Sequence, residues 1–380
     1  MTTVTERPSQ ELTETTDEDL TETTGEDVPE TGDLDDLGER AVGYLMGAAV
    51  SALVCLGDQL GLYRALLDTG PATSRELAAR AGLDERWVRE WLHGQAGAGL
   101  VRYLGEGRFG LTREQAALLA DEDDPAFLAG GFGVLFDLFQ GWERLHDSFR
   151  TGRGTPYDDL GPEHARDESR FSAPWMRANL VPVILPDLAG VTAKLTAGAK
   201  AADVGCGAGR ALLEMAAAYP RSEFHGYDSS AEAIRLAERN LSHSGLTNVT
   251  FHHAEAASLE PHASFDLVLT WDCLHDMTDP AGAMRAIRGA IDPDGTWLIV
   301  DLAGRPTPEE NHDHPLAGLL YGFSVLDCLG CGTSVEGGLG LGTLGLSEPV
   351  ARQMTSEAGF TRFTVHDFDN PLNAFYEVRA

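Results

Sequence analysis

The chain of 380 residues carries 60 acidic and 28 basic side chains, a formal charge of −32 at pH 7, on an apolar content of 43%. It is long enough for two domains and a tail, and its negative balance excludes broad attraction to phosphate backbones or anionic lipid. Five cysteines, Cys55, Cys206, Cys273, Cys328 and Cys331, show no disulfide framework and fit a reducing cytosol.

Residues 1–40 hold fourteen of the acids against Arg7 and Arg40, with many threonines and no aromatic residue. Too little apolar surface is present there to offset the entropy of ordering, so 1–39 is expected to be a disordered acidic tail. It also lacks the basic start of a signal peptide. The longest uncharged run, 41–57, falls short of about 20 strongly apolar residues and is diluted with Gly, Ala and Ser. A buried or dimer-forming helix is expected there, with no membrane span.

Residues 40–121 read as helix, Gly-Pro turn, short helix from Ser74, a turn at 82–84, a longer helix capped by Asp84, and a hairpin pairing "LVRYL" with "RFGLT" across 105–107. This is a winged helix-turn-helix pattern. A DNA reader would carry basic and polar groups on the second helix. Here Arg86 and Arg89 stand among Asp84, Glu85 and Glu90, with Trp87 and Trp91 spaced for burial. Dimerisation or a lid role is therefore expected, and no nucleic-acid partner.

Residues 122–195 form a helical connector expected to line the active site, its aromatic-rich "GGFGVLFDLFQGWERLHDSF" spaced for core packing. From 196 to the end, strands and helices alternate, which predicts a parallel α/β sheet. Strands are expected at 200–204, 223–227, 249–253, 265–271 and 296–301, with helices near 209–219, 230–243, 280–291 and 347–358. Two closing strands lie in "FTRFTVHDF" and "NAFYEVRA".

The first chemical signal is "AADVGCGAGRALLEMA" at 201–216. A dinucleotide fold would show GxGxxG with a pyrophosphate at the helix N-terminus. The tighter Gly205, Gly207, Gly209 spacing after Asp203 suits a ligand without phosphate. This stretch resembles motif I of class I S-adenosylmethionine (SAM) methyltransferases. The resemblance extends over roughly 180–380: Asp228 ends the second strand, and Glu255 follows the third where the family usually has an aspartate. It implies a Rossmann-like, seven-stranded methyltransferase sheet with SAM as cofactor. Asp203, Gly205, Gly207, Gly209, Asp228, Glu255 and Asp272 would then lie around the cofactor, Asp228 on the ribose hydroxyls and Glu255 beside the adenine amino group. With the winged helix, the chain is similar to two-domain small-molecule O-methyltransferases, whose N-terminal domain builds a homodimer and helps cover the acceptor.

Methyl transfer from a sulfonium needs mainly alignment, and a hydroxyl acceptor gains from a general base. "FDLVLTWDCLHDMTDP" supplies His275 and Asp276, which resemble the His-Asp of O-methyltransferases. The acids that orient this histidine in plant-type enzymes are not placed by the pattern, and Glu309, Glu310 and Glu336 are nearby candidates. The glycine-rich insertion 305–347 is expected to be a lid. No metal site is expected, because Cys328 and Cys331 form a single CxxC and His312 and His314 lack clear further ligands. The expected protein is a cytoplasmic SAM-dependent methyltransferase of a small-molecule acceptor, O-methylation favoured. N- or C-methylation, a SAM-binding regulator and a non-methylating SAM protein remain alternatives.

Overall fold

The computed structural model describes residues 33–161 and 163–380. The expected disordered tail lies outside the described residues up to residue 32. Its last part does not: a helix, Leu34–Gln59, begins five residues before the boundary placed at 39. Asp33 accepts a hydrogen bond from the Asp35 amide at 3.0 Å, and Asp35 and Asp36 place negative charge in the first turn, where the helix dipole favours it.

The chain divides at Ala48 into two compact units. In the first, the helix carries Leu37, Val42, Tyr44, Leu45 and Met46 open to solvent. Among the described residues, Leu34–Gln59 is also the one helix long and apolar enough to cross a membrane by length and composition. Its second half is built otherwise: Val54, Cys55 and Gly57 are buried, and Trp91 donates its indole N–H to the Leu53 carbonyl at 2.8 Å.

The second unit opens with the winged helix. Helices Leu62–Thr69, Ser74–Ala81 and Glu85–Gly97 enclose Leu66, Leu77, Val88, Trp91 and Leu92. Three short strands, β1 (Ala72–Thr73), β2 (Arg102–Gly105) and β3 (Arg108–Gly110), pair antiparallel in the order β1-β3-β2. Asp84 caps the longer helix by accepting from the Arg86 and Trp87 amides, and Thr73 with Glu76 closes a capping box on the shorter one. Trp87 departs from expectation, because it is 79% exposed. The buried face runs through Val88, Trp91, Leu92 and Gln95, and Trp87 falls just outside it.

The connector contains helices Ala129–Phe139, Trp142–Thr151 and His164–Asn179. The aromatics of 130–149 do not form the core: Val134 and Leu138 are buried, but Phe132 and Phe136 are only half-buried, and Phe139, Trp142 and Phe149 are exposed. Helical spacing there reflects an amphipathic surface whose apolar face meets solvent in this chain.

Beyond it lies a seven-stranded sheet in the order β6-β5-β4-β7-β8-β10-β9. The strands are β4 (Lys200–Val204), β5 (Glu223–Asp228), β6 (Val249–His253), β7 (Phe265–Trp271), β8 (Ile291–Leu302), β9 (Arg362–His366) and β10 (Asn373–Arg379). Strands β4 to β8 are parallel, and β10 enters antiparallel between β8 and β9. Near-continuous apolar runs in β4, β7 and β8 are buried on both faces, as a covered parallel sheet requires. One core packs Leu180, Ile184, Leu212, Met215 and Leu269, and the other packs Met284, Ile287, Trp297, Leu346 and Tyr376. The order reverses between β4 and β7, so the carboxyl ends of these neighbours open a crevice, the usual ligand position in such sheets.

Candidate active site

The sequence signals converge on that crevice. Each glycine after β4 has its own reason. A Cβ at Gly205 would stand 2.6 Å from Cys273 Sγ, and one at Gly209 would run into the Phe251 ring. Gly207 differs: its φ is +50°, a left-handed value that suits glycine, and a Cβ there would meet no protein atom within 4 Å. Its backbone borders open space that a ligand can approach closely.

Two carboxyl groups frame the turn. Asp228 accepts the Gly207 amide on Oδ2 and the Ser230 amide on Oδ1, both at 2.8 Å. Burial raises its pKa to about 6 against the lowering effect of those amides. Asp203 is 2% exposed, and its Oδ1 has no hydrogen-bond partner. Burial, with the Asp228 charge second, pushes its pKa up to about 8. An orphaned buried oxygen beside an open glycine cradle and two carboxyl groups is a donor set suited to a cationic, hydrogen-bonding ligand. SAM, with its sulfonium and ammonium charges, fits it. Glu255 is exposed after β6, and among the described residues its carboxylate has no protein partner. Across the end of β5 lies a further carboxylate, Asp158, which accepts from the Ser230 hydroxyl and the Ala231 amide.

After β7, Asp272 takes a left-handed φ of +49° and turns the chain. Its Oδ1 accepts from Asn373 Nδ2, and burial, then the Asp301 charge, raises its pKa to about 8. His275, 3% exposed, sets Nδ1 2.6 Å from Asp301 Oδ1. Asp301 closes the buried run of β8 and is itself 0% exposed. The orienting acid is therefore Asp301, and none of Glu309, Glu310 and Glu336, which are exposed. Burial opposes charge on His275, but Asp301 and the Cys328 thiol outweigh it and hold the imidazole pKa well above its ordinary value. Asp276 is partly buried, and its pKa is raised by burial with His275 opposing.

Sequence reasoning missed Asp301, Asp158 and Cys328. A charged residue ending the apolar run "TWLIVD" was a usable signal for Asp301, since an acid buried at a strand's carboxyl end calls for a partner. Asp158 and Cys328 carried none, because their place depends on how the connector and the insertion fold back. The insertion itself is largely ordered into helices, Pro308–His312, Ala317–Phe323 and a continuation to Gly332, and its Leu339 amide bonds to the Thr278 carbonyl at 3.0 Å.

Comparison with known proteins agrees with this fold. Residues 195–317 match a methyltransferase domain family, and residues 48–121 match the Rv2258c-like winged HTH domain. The chain is 30% identical over 110 residues to a ubiquinone biosynthesis O-methyltransferase of Leptothrix cholodnii, covering 28% of this chain and 46% of that protein. It thus spans less than half the length of that curated relative. Among solved structures, mitomycin 7-O-methyltransferase is 21% identical with a TM-score of 0.63, over 91% of this chain and 98% of that one. Human N-acetylserotonin methyltransferase in complex with SAM is 19% identical with a TM-score of 0.62, over 92% and 100%. At these identities the two structures show a shared fold across both the winged helix and the sheet.

Proposed function

We propose that this chain is a SAM-dependent methyltransferase acting on a small-molecule acceptor, with O-methylation favoured. The observation that carries the reading is the His275–Asp301 pair at the carboxyl edge of β7 and β8, beside the open Gly207 turn. Two of the three names compared above support a hydroxyl acceptor, since the Leptothrix relative and the mitomycin enzyme are O-methyltransferases.

When bound, SAM supplies a methyl group already activated on a sulfonium. Gly205, Gly207 and Gly209 give the backbone room to approach it, and we read Asp228 as the partner of the ribose hydroxyls and Glu255 as that of the adenine edge. Asp203 and Asp272 add acidity around the sulfonium and ammonium. His275 is the general base in its neutral form, reached as pH rises through its elevated pKa: with its Nδ1 proton held on Asp301, Nε2 is left to take the acceptor's hydroxyl proton, and Asp301 stabilises the resulting imidazolium. Asp276 is a neighbouring acid whose raised pKa favours the neutral form near the acceptor.

Around this centre we read 40–121 as the dimerisation and lid domain, 122–195 as a connector lining the site, 196–380 as the methyltransferase domain and 305–347 as its lid. The homodimer reading is supported by the solvent-open Val42, Leu45 and Met46 on the first helix. The burial of Val54, Cys55 and Gly57 in its second half favours a packing helix over a membrane span, and with five free cysteines supports a cytoplasmic protein. Methyl transfer from isotope-labelled SAM into a panel of phenols and hydroxylated metabolites, read by mass spectrometry, tests the reading. Label recovered as an N- or C-methyl product would overturn the O-methyl assignment.

A further inference from the structure

A second polar cluster stands next to this site and takes no part in the chemistry above. His164 opens the helix His164–Asn179 and is 0% exposed. One turn on, Glu168 points the same way, and Asp327, 6% exposed, faces them from the insertion. His164 Nε2 lies 3.5 Å from Glu168 Oε1 and 3.3 Å from Asp327 Oδ2. Neither contact has hydrogen-bond geometry: both ring nitrogens of this buried histidine are without a partner. An unpartnered imidazole aimed between two carboxylates calls for an occupant.

We propose that His164, Glu168 and Asp327 form a divalent-cation site of zinc type. The ligand atoms all lie within 4.8 Å of one another. For metal–ligand bonds of about 2.0–2.2 Å in a tetrahedron, ligand atoms stand about 3.3–3.6 Å apart. The two separations from Nε2 have that value, whereas a charge-assisted hydrogen bond closes to about 2.7–2.9 Å. The oxygens turned away from the histidine are also held as a metal site holds them. Tyr157 donates its hydroxyl to Glu168 Oε2, and Cys331 donates its thiol to Asp327 Oδ1 at 3.4 Å. Such outer partners fix the ligating oxygens. One imidazole with two carboxylates suits zinc better than magnesium or calcium, which take oxygen sets, and three protein ligands leave a fourth position for water or another oxygen ligand. No arginine or lysine contacts the cluster among the described residues, so without an ion only a protonated His164 balances the two carboxylates.

The test uses the full-length protein without methyl donor or acceptor, so its outcome is independent of methyl transfer. After equilibration with zinc and gel filtration, elemental analysis should find about one zinc per chain. H164Q and D327N should each weaken zinc binding by more than about 100-fold, since loss of an outer partner alone costs 10–100-fold. Circular dichroism of the zinc-free variants checks that they fold. If one does not, E168Q is read in its place. Cobalt substituted for zinc should give tetrahedral d–d bands and no thiolate charge-transfer band. Absence of retained zinc, equal zinc retention by the variants, or a cobalt–thiolate band assigning the ion to Cys328 and Cys331 would each overturn the site.

Discussion

Asp301→Asn separates two things the carboxylate does for His275. Asp301 Oδ1 alone carries both contacts: it faces His275 Nδ1 at 2.6 Å and accepts the Leu302 amide at 2.8 Å, while Oδ2 is buried without a partner. An asparagine can keep its oxygen at the shared position, so ring orientation and tautomer survive and only the charge is lost. A hydrogen bond to a charged group contributes about 1.5–3 kcal/mol against about 0.5–1.5 for a neutral one, a difference of about 1–2 kcal/mol. At 1.36 kcal/mol per factor of ten, kcat should fall about 5- to 30-fold. Asp301→Ala loses orientation as well and should approach His275→Ala, about 10²–10⁴-fold down, the contribution of a general base. The assay is steady-state methyl transfer with an acceptor identified by label incorporation, with KM for SAM followed in parallel and expected to stay constant. Removing the carboxylate also lowers the basicity of His275, so the rising limb of kcat against pH should move to lower pH in Asp301→Asn. Equal, small effects of all three substitutions would refute the base assignment and leave the pair structural.

Gly207→Arg should abolish SAM binding in calorimetry while leaving the thermal midpoint little changed, because its side chain enters open space and not the core; retained affinity would displace the cofactor from this turn. Asp203 and Asp272 titrate near pH 8 in the fold, above the ordinary carboxyl value near 4, so the folded chain holds protons that the unfolded chain releases. The stability they contribute is complete below about pH 4 and is lost as pH rises through about 8. The midpoint of the ligand-free protein should fall between about pH 5.5 and 8.5, and a rise across that window would show that the two carboxyls are solvated. Val42→Glu with Leu45→Glu should convert a species of twice the chain mass into a monomer in light scattering, whereas an unchanged mass would remove the dimer from the first helix.

The sheet was legible because its strands are short apolar runs at regular spacing: 200–204, 249–253 and 265–271 fall where β4, β6 and β7 begin and end. Strand β8 starts earlier than expected, at Ile291, because "DPDG" bends within the strand and does not end it. The glycine turn and the positions of Asp203 and Asp228 were legible from local spacing, since each sits at the end of its own strand. Contacts between distant segments were not. Asp301 meets His275 across 26 residues, and Asp158 reaches Ser230 across 72. His164 and Asp327 belong to different segments that no periodicity links. Trp87 shows the reverse limit, where a spacing suited to burial lies one residue off the packed face.

Incubation of the protein with methyl-labelled SAM and a panel of small hydroxylated acceptors tests methyl transfer itself, with S-adenosylhomocysteine and labelled product counted together. A methyltransferase of this kind yields equal amounts of both, with an oxygen-bound label in the product, and both signals are lost in Gly207→Arg. Tight SAM binding with neither product formed from any acceptor would contradict methyl transfer, and absence of SAM binding would contradict the site itself.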